Sequence, residues 1–235
     1  THENTKLRNW IDQFMQIPFG VYKHLPVSIH DGTEKCNAFI ERAKTILDET
    51  VYGMEDIKSQ ILQVIGQIIS NPNSIGTSIA LKGPMGTGKT TLVKEGISRI
   101  LQRPFTFIAL GGATESSFLE GHSYTWEGST CGQIVNVLKN SKCMNPVIYF
   151  DELDKVSNTS RGDEIIGILT HLTDPTQNSH FQDKYFAGIN IDVSRALFVL
   201  SYNSPEAIDR ILLDRIHRVK FNALSLDEKI VISNK

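Results

Sequence analysis

Residues 83–90 of the chain read Gly83-Pro84-Met85-Gly86-Thr87-Gly88-Lys89-Thr90. This is a complete G-x-x-x-x-G-K-(S/T) motif, and it separates an apolar run, Ser78 to Lys82, from a helix-like run, Lys89 to Leu101. Glycines let the backbone curl so that successive N–H groups point at phosphate oxygens, and the helix N-terminus adds the positive end of its dipole. We expect Lys89 to reach the β- and γ-phosphates and Thr90 to bind Mg²⁺. The eight residues therefore predict the phosphate-binding loop (P-loop, or Walker A motif) of an ATP site.

A pair of carboxylates follows a second apolar run, Pro146 to Phe150. Asp151 and Glu152 come directly after this run, which is the arrangement of a Walker B motif. We expect Asp151 to hold Mg²⁺, directly or through water, and Glu152 to orient the attacking water as the general base. Without a P-loop upstream, two such carboxylates would equally fit a solvated turn or a helix cap.

Short apolar runs alternate with helical patterns throughout the second two thirds of the chain. This alternation is typical of βαβ units and predicts an α/β fold, a three-layer sandwich around a five-stranded parallel sheet with the nucleotide at the carboxyl ends of the strands. Strands are predicted at Ser78 to Lys82, Phe105 to Leu110, Val147 to Phe150, Ala196 to Tyr202 and Arg218 to Phe221. Amphipathic helices are predicted before the sheet at Leu7 to Met15, Thr33 to Asp48 and Met54 to Ile69, and within it at Lys89 to Leu101, Gly132 to Lys139 and Asp163 to Leu172.

The composition is that of an ordinary globular protein. Among 235 residues, 24 Lys and Arg against 26 Asp and Glu give a formal charge of -2, which does not provide the cationic field on which sequence-independent nucleic-acid binding relies. No apolar run approaches the ~20 residues that span a bilayer. The three cysteines show no metal-ligand spacing. We therefore expect a soluble protein of a reducing compartment, either cytoplasm or mitochondrial matrix, with neither nucleic acid nor membrane as partner.

Several longer motifs carry a family resemblance. The chain is similar to the ATPase domain of Lon-type ATP-dependent serine proteases, which are AAA+ proteins. The matching family patterns are DEIDK, RGD, DPEQN, FxDHY, the linker signature WLxxLPWG and the adenine-packing segment HYGL. They correspond here to Asp151 to Lys155, Arg161 to Asp163, Asp174 to Ser179, Phe181 with Asp183 and Tyr185, Trp10 to Gly20, and Val51 to Met54.

The resemblance implies roles for three positions at the nucleotide. Tyr52 and Gly53 correspond to the segment that packs on adenine. Asn203, at the end of the fourth predicted strand, corresponds to sensor 1, whose amide helps to position the attacking water. Asn203 also fits a simple turn after a strand.

The resemblance also implies an assembly. Arg215 corresponds to the arginine finger, which one subunit donates to the γ-phosphate bound by its neighbour and which stabilises charge in the transition state. Arg210 and Arg218 lie close in sequence and are rival candidates. A finger in trans requires a ring, and the family implies a homohexamer.

The stretch Gly121 to Gly132 corresponds to a family pore loop of the form GHRRTYxGxxPG. Trp126 stands at the aromatic position, where a large ring would grip an extended polypeptide without demanding a particular sequence. The following apolar residue is replaced by Glu127, the paired basic residues by Ser123-Tyr124, and the proline by Cys131. A carboxylate beside the gripping ring changes the charge of the pore and with it the preference for substrates.

We divide the chain into linker helices (1–40), the ATPase domain (41–223) and the start of a helical lid (224–235), where we expect the lid to be truncated. The leading hypothesis is an ATP hydrolase that drives unfolding and translocation of protein substrates into a serine protease chamber encoded outside these residues. A remodelling ATPase without a working peptidase is the alternative, and a nucleic-acid motor of the AAA+ class is a third.

Overall fold

A five-stranded sheet in the order β2-β3-β4-β1-β5 forms the centre of the protein. The computed structural model describes residues 2–73, 76–113, 115–156 and 159–233. All four neighbouring pairs of strands are parallel, so the carboxyl ends of the strands lie together at one edge. This confirms the predicted parallel sheet. The strands are β1 Ser78–Lys82, β2 Phe105–Ala109, β3 Val147–Asp151, β4 Leu197–Tyr202 and β5 His217–Lys220.

Helices cover both faces of the sheet. The helix after the P-loop begins as α4, passes through a π-helical segment, Leu92–Ile97, and ends as α5. Among the described residues, no helix combines the length and the apolar character needed to cross a membrane. The helices are α1 His2–Met15, α2 Thr33–Thr50, α3 Glu55–Ser70, α4 Lys89–Thr91, α5 Ser98–Leu101, α6 Ser117–Glu120, α7 Gln133–Ser141, α8 Ser160–Thr173, α9 Arg210–Asp214 and α10 Leu226–Ser233.

Two apolar cores lie on opposite faces of the sheet. Successive side chains of a strand point to opposite faces, and β3 shows this: Ile148 and Phe150 belong to the core that includes α7 and α8, whereas Val147 and Tyr149 belong to the core beneath α2 and α3. A sheet that is buried on both faces needs continuous apolar runs rather than alternating ones. The three-layer arrangement predicted from those runs is confirmed.

Two stretches that lie outside the predicted strands and helices contain short helical elements. The stretch Gly111 to Thr130 contains α6, and the stretch Pro175 to Ser194 contains two 3₁₀ turns, Asn178–His180 and Lys184–Phe186. Each element is too short to be stable alone, and tertiary burial of Leu119 and Phe186 holds it in place. Such elements leave almost no periodic signal in the sequence.

The N-terminal helix packs against the sheet domain through its aromatic residues. The indole N–H of Trp10 donates to the carbonyl of Tyr185 at 3.0 Å, and its ring stacks on Phe14 with centroids 5.4 Å apart. The predicted boundary at residue 40 falls inside α2, and the division into three regions stays a prediction. Of the predicted lid, the structure describes α10, whereas Asn234 and Lys235 lie outside the described residues.

Candidate active site

A cleft of about 320 Å³ opens at the carboxyl edge of the sheet. It brings together the P-loop after β1, the end of β3 and the end of β4, three segments far apart in sequence. In open α/β sheets this edge is where ligands bind. The residues lining the cleft are Met85 to Thr91, Tyr149, Asp151, Glu152, Asp154, Ser201, Tyr202 and Asn203.

Glycines shape the P-loop at positions where other residues would be strained. Gly86 and Gly88 have φ of 74° and 86°, in the left-handed region that favours glycine. Gly83 packs against the backbone that follows β5, where an added methyl group would lie 2.6 Å from Cβ of Phe221. The phosphate loop is therefore held both by its own backbone conformation and by contact with a neighbouring strand.

Lys89 lies inside the loop rather than in solvent. Its ammonium donates to the carbonyls of Gly83 at 2.5 Å and Pro84 at 2.7 Å, and to the Oδ1 atom of Asn203 at 3.4 Å. Burial lowers the pKa of Lys89, and the nearby carboxylates of Asp151 and Asp154 oppose that effect. The cation is thus fixed at the centre of the cleft by groups from two strands.

Two oxygen-bearing side chains in the cleft are suited to Mg²⁺. Thr90 follows the lysine at the start of α4, and Asp151 ends β3. The hydroxyl of Thr90 donates to the phenolic oxygen of Tyr149 at 3.3 Å, and Tyr149 shares the face of β3 with Asp151. Hydroxyl and carboxylate oxygens are the ligands that this hard cation prefers.

Glu152 adopts a conformation unusual for its residue type. Its φ of 59° and ψ of 42° lie in the left-handed region, which costs energy for a residue with a side chain. Its carboxylate contacts Gly111 in the loop after β2, and a methyl group added at Gly111 would overlap Oε2 of Glu152. The strained turn and the absence of a side chain at Gly111 together set the position of the predicted general base.

Asn203 reaches the same cleft from the end of β4, next to Lys89. The turn that follows it is tied to the Walker B segment, because the backbone N–H of Ser204 donates to Oδ2 of Asp154 at 3.2 Å. Asp154 thus links the segment after β3 to the segment after β4.

The residues of the cleft fit a nucleoside triphosphate with Mg²⁺. A methyl group added at Gly86 would meet nothing within 4 Å, so there is open space beside this part of the loop. The cleft offers the ammonium of Lys89, a helix N-terminus, three carboxylates, several hydroxyl groups and the amide of Asn203. Cationic and N–H groups suit phosphate oxygens, and oxygen ligands suit Mg²⁺.

The predicted adenine segment lies beside the P-loop. A methyl group added at Gly88 would lie 3.6 Å from Cγ1 of Val51, and one added at Gly53 would lie 3.8 Å from Oε1 of Glu228 on α10. Gly53 has φ of 65°, and the side chain of Tyr52 is partly exposed. Neither Tyr52 nor Gly53 lines the cleft that holds Lys89, and their contact with adenine stays a prediction.

Arg215 lies outside the cleft formed by its own chain. It follows α9, and its guanidinium forms an ion pair with Asp174 while remaining 39% exposed. The hydrogen bonds from Thr176 and the ion pair with Arg215 lower the pKa of Asp174. The structure therefore does not bring Arg215 together with Lys89 and Glu152.

The predicted pore loop presents an exposed aromatic ring. Trp126 is 65% exposed and is therefore not part of the core, and Glu127 beside it is also exposed. The carbonyl of Trp126 accepts a hydrogen bond from the ammonium of Lys6 at 3.3 Å. Backbone pairing of His122 with Thr130 at 3.1 Å closes the base of the loop.

A buried carboxylate anchors the end of this loop. Asp183 is completely buried and accepts hydrogen bonds from the N–H groups of Gly132 at 2.7 Å and Tyr185 at 2.8 Å. Burial raises the pKa of Asp183 to about 6 despite these hydrogen bonds, and the neighbouring charge of Glu120 contributes to the increase. The base of the loop thus depends on a group that titrates in the weakly acidic range.

A known protein family matches the part of the chain that forms the sheet and the cleft. Residues 79–224, more than half of the chain, match the model of the ATPase family associated with various cellular activities. The chain belongs to the AAA family of ATPases. The match begins within β1 and ends at residue 224, and it therefore includes the P-loop, Asp151, Glu152, Asn203 and Arg215.

Lon proteases are among the relatives of this AAA domain. It is 40% identical over 234 residues, 98% of the chain, to a Lon protease homolog of Acanthamoeba polyphaga mimivirus. It is 37% identical over 97% of its length to the Lon protease of Clostridioides difficile, and 36% identical over 97% to the mitochondrial Lon protease homolog of Aspergillus fumigatus. The chain covers 23%, 27% and 19% of these proteins. It is an AAA+ ATPase domain of the Lon type, as its motifs indicated.

Three contacts in the AAA domain escaped the sequence-based assignment. Tyr149 contacts Thr90, Gly111 contacts Glu152, and Asp183 anchors the base of the predicted pore loop. The sequence could have indicated Tyr149. It carries a hydroxyl group and lies two positions before Asp151, and therefore on the same face of the strand. No comparable signal pointed to Gly111, whose importance depends on a contact between distant segments.

Proposed function

We propose that this domain hydrolyses ATP with Mg²⁺ and, within a longer protein, uses the energy to unfold and translocate protein substrates towards a serine protease chamber. The observation that carries the proposal is the cleft in which Lys89, Asp151, Glu152 and Asn203 converge. The relatives are named Lon proteases, and the chain aligns with them over nearly its whole length. A reducing compartment that contains ATP, cytoplasm or mitochondrial matrix, suits this activity.

The hydrolytic step follows from the positions of the side chains. Lys89 and the N–H groups of the P-loop bind the phosphates, and Thr90 and Asp151 would hold Mg²⁺, which neutralises phosphate charge when bound. Glu152 accepts a proton from the attacking water, and the amide of Asn203 orients that water.

We propose that Arg215 completes the site of a neighbouring subunit. Its guanidinium is partly exposed and lies away from its own cleft, as a group that acts in trans must. The proposed assembly is a homohexameric ring with Trp126 of every subunit facing a central pore. An exposed aromatic ring on a loop anchored at its base suits the gripping of unfolded protein substrates.

The test is ATP turnover and casein degradation by the full-length parent protein and its Glu152→Gln variant. The variant should bind ATP normally but hydrolyse it about 100-fold more slowly or worse, because the water loses its base. Glu95→Gln, which removes an exposed carboxylate on the helix after the P-loop, is the matched control and should behave like the wild type.

Each outcome has a definite meaning. Loss of both activities in Glu152→Gln alone supports the proposal. Hydrolysis by the wild type without degradation of casein would favour a remodelling ATPase without a working peptidase. Unchanged turnover in Glu152→Gln would refute the catalytic assignment.

A further inference from the structure

A second cavity, of about 180 Å³, lies at the edge of the sheet opposite to the catalytic cleft. Its lining includes Gly76, Arg103, Asn145 and Arg195, which lie two residues before the first residue of β1, β2, β3 and β4 respectively. Parallel strands place all their amino ends at one edge, and a five-residue strand is roughly 16 Å long. The cavity is therefore separate from the ATP site, and nothing in the proposed hydrolysis uses it.

Arg103 is a partly buried cation, and no acidic side chain among the described residues lies beside it in the cavity. Its Nε atom is inaccessible to solvent and has no hydrogen-bond partner among the described residues. Its Nη1 atom makes a long hydrogen bond of 3.4 Å to the carbonyl of Arg195. Burial lowers the pKa of Arg103, an effect that a thiolate at Cys143 would oppose. A desolvated guanidinium is costly unless a negative charge accompanies it.

Further cationic side chains surround the same space. The guanidinium of Arg195 lies 4.6 Å from the ring centroid of Tyr22, which positions it beside the cavity. Lys23 also lines the cavity. Of the described lining residues, none is acidic, so the positive charge of this wall is not neutralised from within.

The cavity is preformed by a hydrogen-bonded frame. The backbone N–H of Lys23 donates to Oδ1 of Asn145 at 2.8 Å, and the amide of Asn145 donates back to the carbonyl of Lys23 at 2.8 Å. Next to this pair, the N–H of Met144 donates to the carbonyl of Val21 at 2.8 Å. The segment after α1 is thereby fixed to the residues that precede β3, and a ligand would find its partners already in position.

We propose that this cavity binds a small oxyanion of phosphate or sulfate size, with Arg103 as its principal ligand and Arg195 and Lys23 as supporting charges. A guanidinium presents a planar set of N–H donors that matches such oxygens. The volume is ample, because a single water needs only ~10–15 Å³. The bound anion would stabilise the junction between the linker segment and the ATPase domain.

The experiment measures thermal unfolding of the 235-residue chain while inorganic phosphate replaces chloride at constant ionic strength. A phosphate concentration of ten times Kd should raise the Tm by about 3–6 °C. Lys89→Ala, which disables the P-loop, should keep this increase, whereas Arg103→Met should lose it. Lys44→Met removes an exposed charge that does not line the cavity, and it should respond to phosphate like the wild type.

Two further measurements test the proposal even if one variant does not fold. In phosphate-free buffer Arg103→Met should unfold at or above the wild-type Tm, because it removes an uncompensated charge. Arg195→Gln, which leaves Arg103 in place, should weaken phosphate binding about tenfold. An increase in Tm that Arg103→Met retains, or that Lys89→Ala abolishes, would overturn the proposal, and so would the absence of any increase in the wild type.

Discussion

The carboxylate of Glu152 lies directly against Gly111, the residue at which β2 gives way to the following loop. Glu152 is already in a left-handed backbone conformation, so its side chain has little freedom to move aside. The position of the predicted general base thus depends on a residue 41 positions earlier in the chain. This contact makes the role of Gly111 testable independently of the Walker motifs.

We predict that Gly111→Ala lowers the ATPase rate by about 10- to 100-fold while ATP binding changes little. The added methyl group would displace the carboxylate of Glu152, and small displacements of a catalytic base are costly. Gly112→Ala is the matched control, because a methyl group there meets nothing within 4 Å. Steady-state turnover and nucleotide affinity should be measured for both. Equal turnover in the two variants would contradict the prediction.

Tyr149→Phe should raise the Mg²⁺ concentration needed for half-maximal ATPase activity by about 2- to 10-fold. The change removes the phenolic oxygen that accepts a hydrogen bond from Thr90 at 3.3 Å, and such a bond contributes about 0.5–1.5 kcal/mol. The aromatic ring, stacked on Phe107 with centroids 5.8 Å apart, remains in place. A Mg²⁺ titration at saturating ATP measures the shift. An unaltered Mg²⁺ dependence would mean that Tyr149 is only a core residue.

Arg215→Ala should reduce ATP hydrolysis at least about 100-fold and leave ATP binding intact, because the finger acts on transition-state charge. Loss of its partly exposed ion pair with Asp174 should lower stability by no more than about 1 kcal/mol. Arg210→Ala, on the exposed start of α9, serves as the control.

A mixing experiment distinguishes action in trans from action in cis. Arg215→Ala and Glu152→Gln chains are each expected to be inactive alone. A mixed ring should recover part of the activity, because a Glu152→Gln subunit can donate its Arg215 to the intact cleft of an Arg215→Ala subunit. Mixed assemblies without any recovered turnover would count against a finger in trans.

Asp183 should make stability depend on pH in the weakly acidic range. Its pKa is raised to about 6 from the ordinary 3.8 by burial, so between about pH 4 and 6 the folded protein binds more protons than the unfolded one. The contribution of Asp183 to stability is therefore complete below about pH 4 and is lost as the pH rises through about 6, on the order of 3 kcal/mol.

The comparison of Asp183→Asn with the wild type measures the pH-dependent contribution of Asp183 to stability. The free energy of unfolding is measured by denaturant titration between pH 4 and 7. The wild type should become less stable as the pH rises because of Asp183, and Asp183→Asn should lack this part of the decrease. Asp163→Asn, which changes an exposed carboxylate, should retain the wild-type pH dependence. A variant whose pH profile runs parallel to that of the wild type would refute the assignment.

Much of the fold was predictable because its signals are local. The P-loop is a continuous run of eight residues with its strand before it and its helix after it, and the strands are apolar runs because helices cover both faces of the sheet. The carboxylates Asp151 and Glu152 could be located because they end such a run. Predicted and observed strand ends differ by no more than a residue.

The chain by itself therefore determined the parallel sheet, the order of its motifs and the residue types of the cleft, since these depend on neighbours in sequence. Only the tertiary structure decided which distant groups touch: Glu152 with Gly111, Thr90 with Tyr149, and the shielded Arg103 beside Arg195. Such contacts arise when segments that are far apart in the chain pack at one edge of the sheet. The spacing of apolar residues indicates which face of a helix or strand is buried, but it does not indicate which other segment packs against that face.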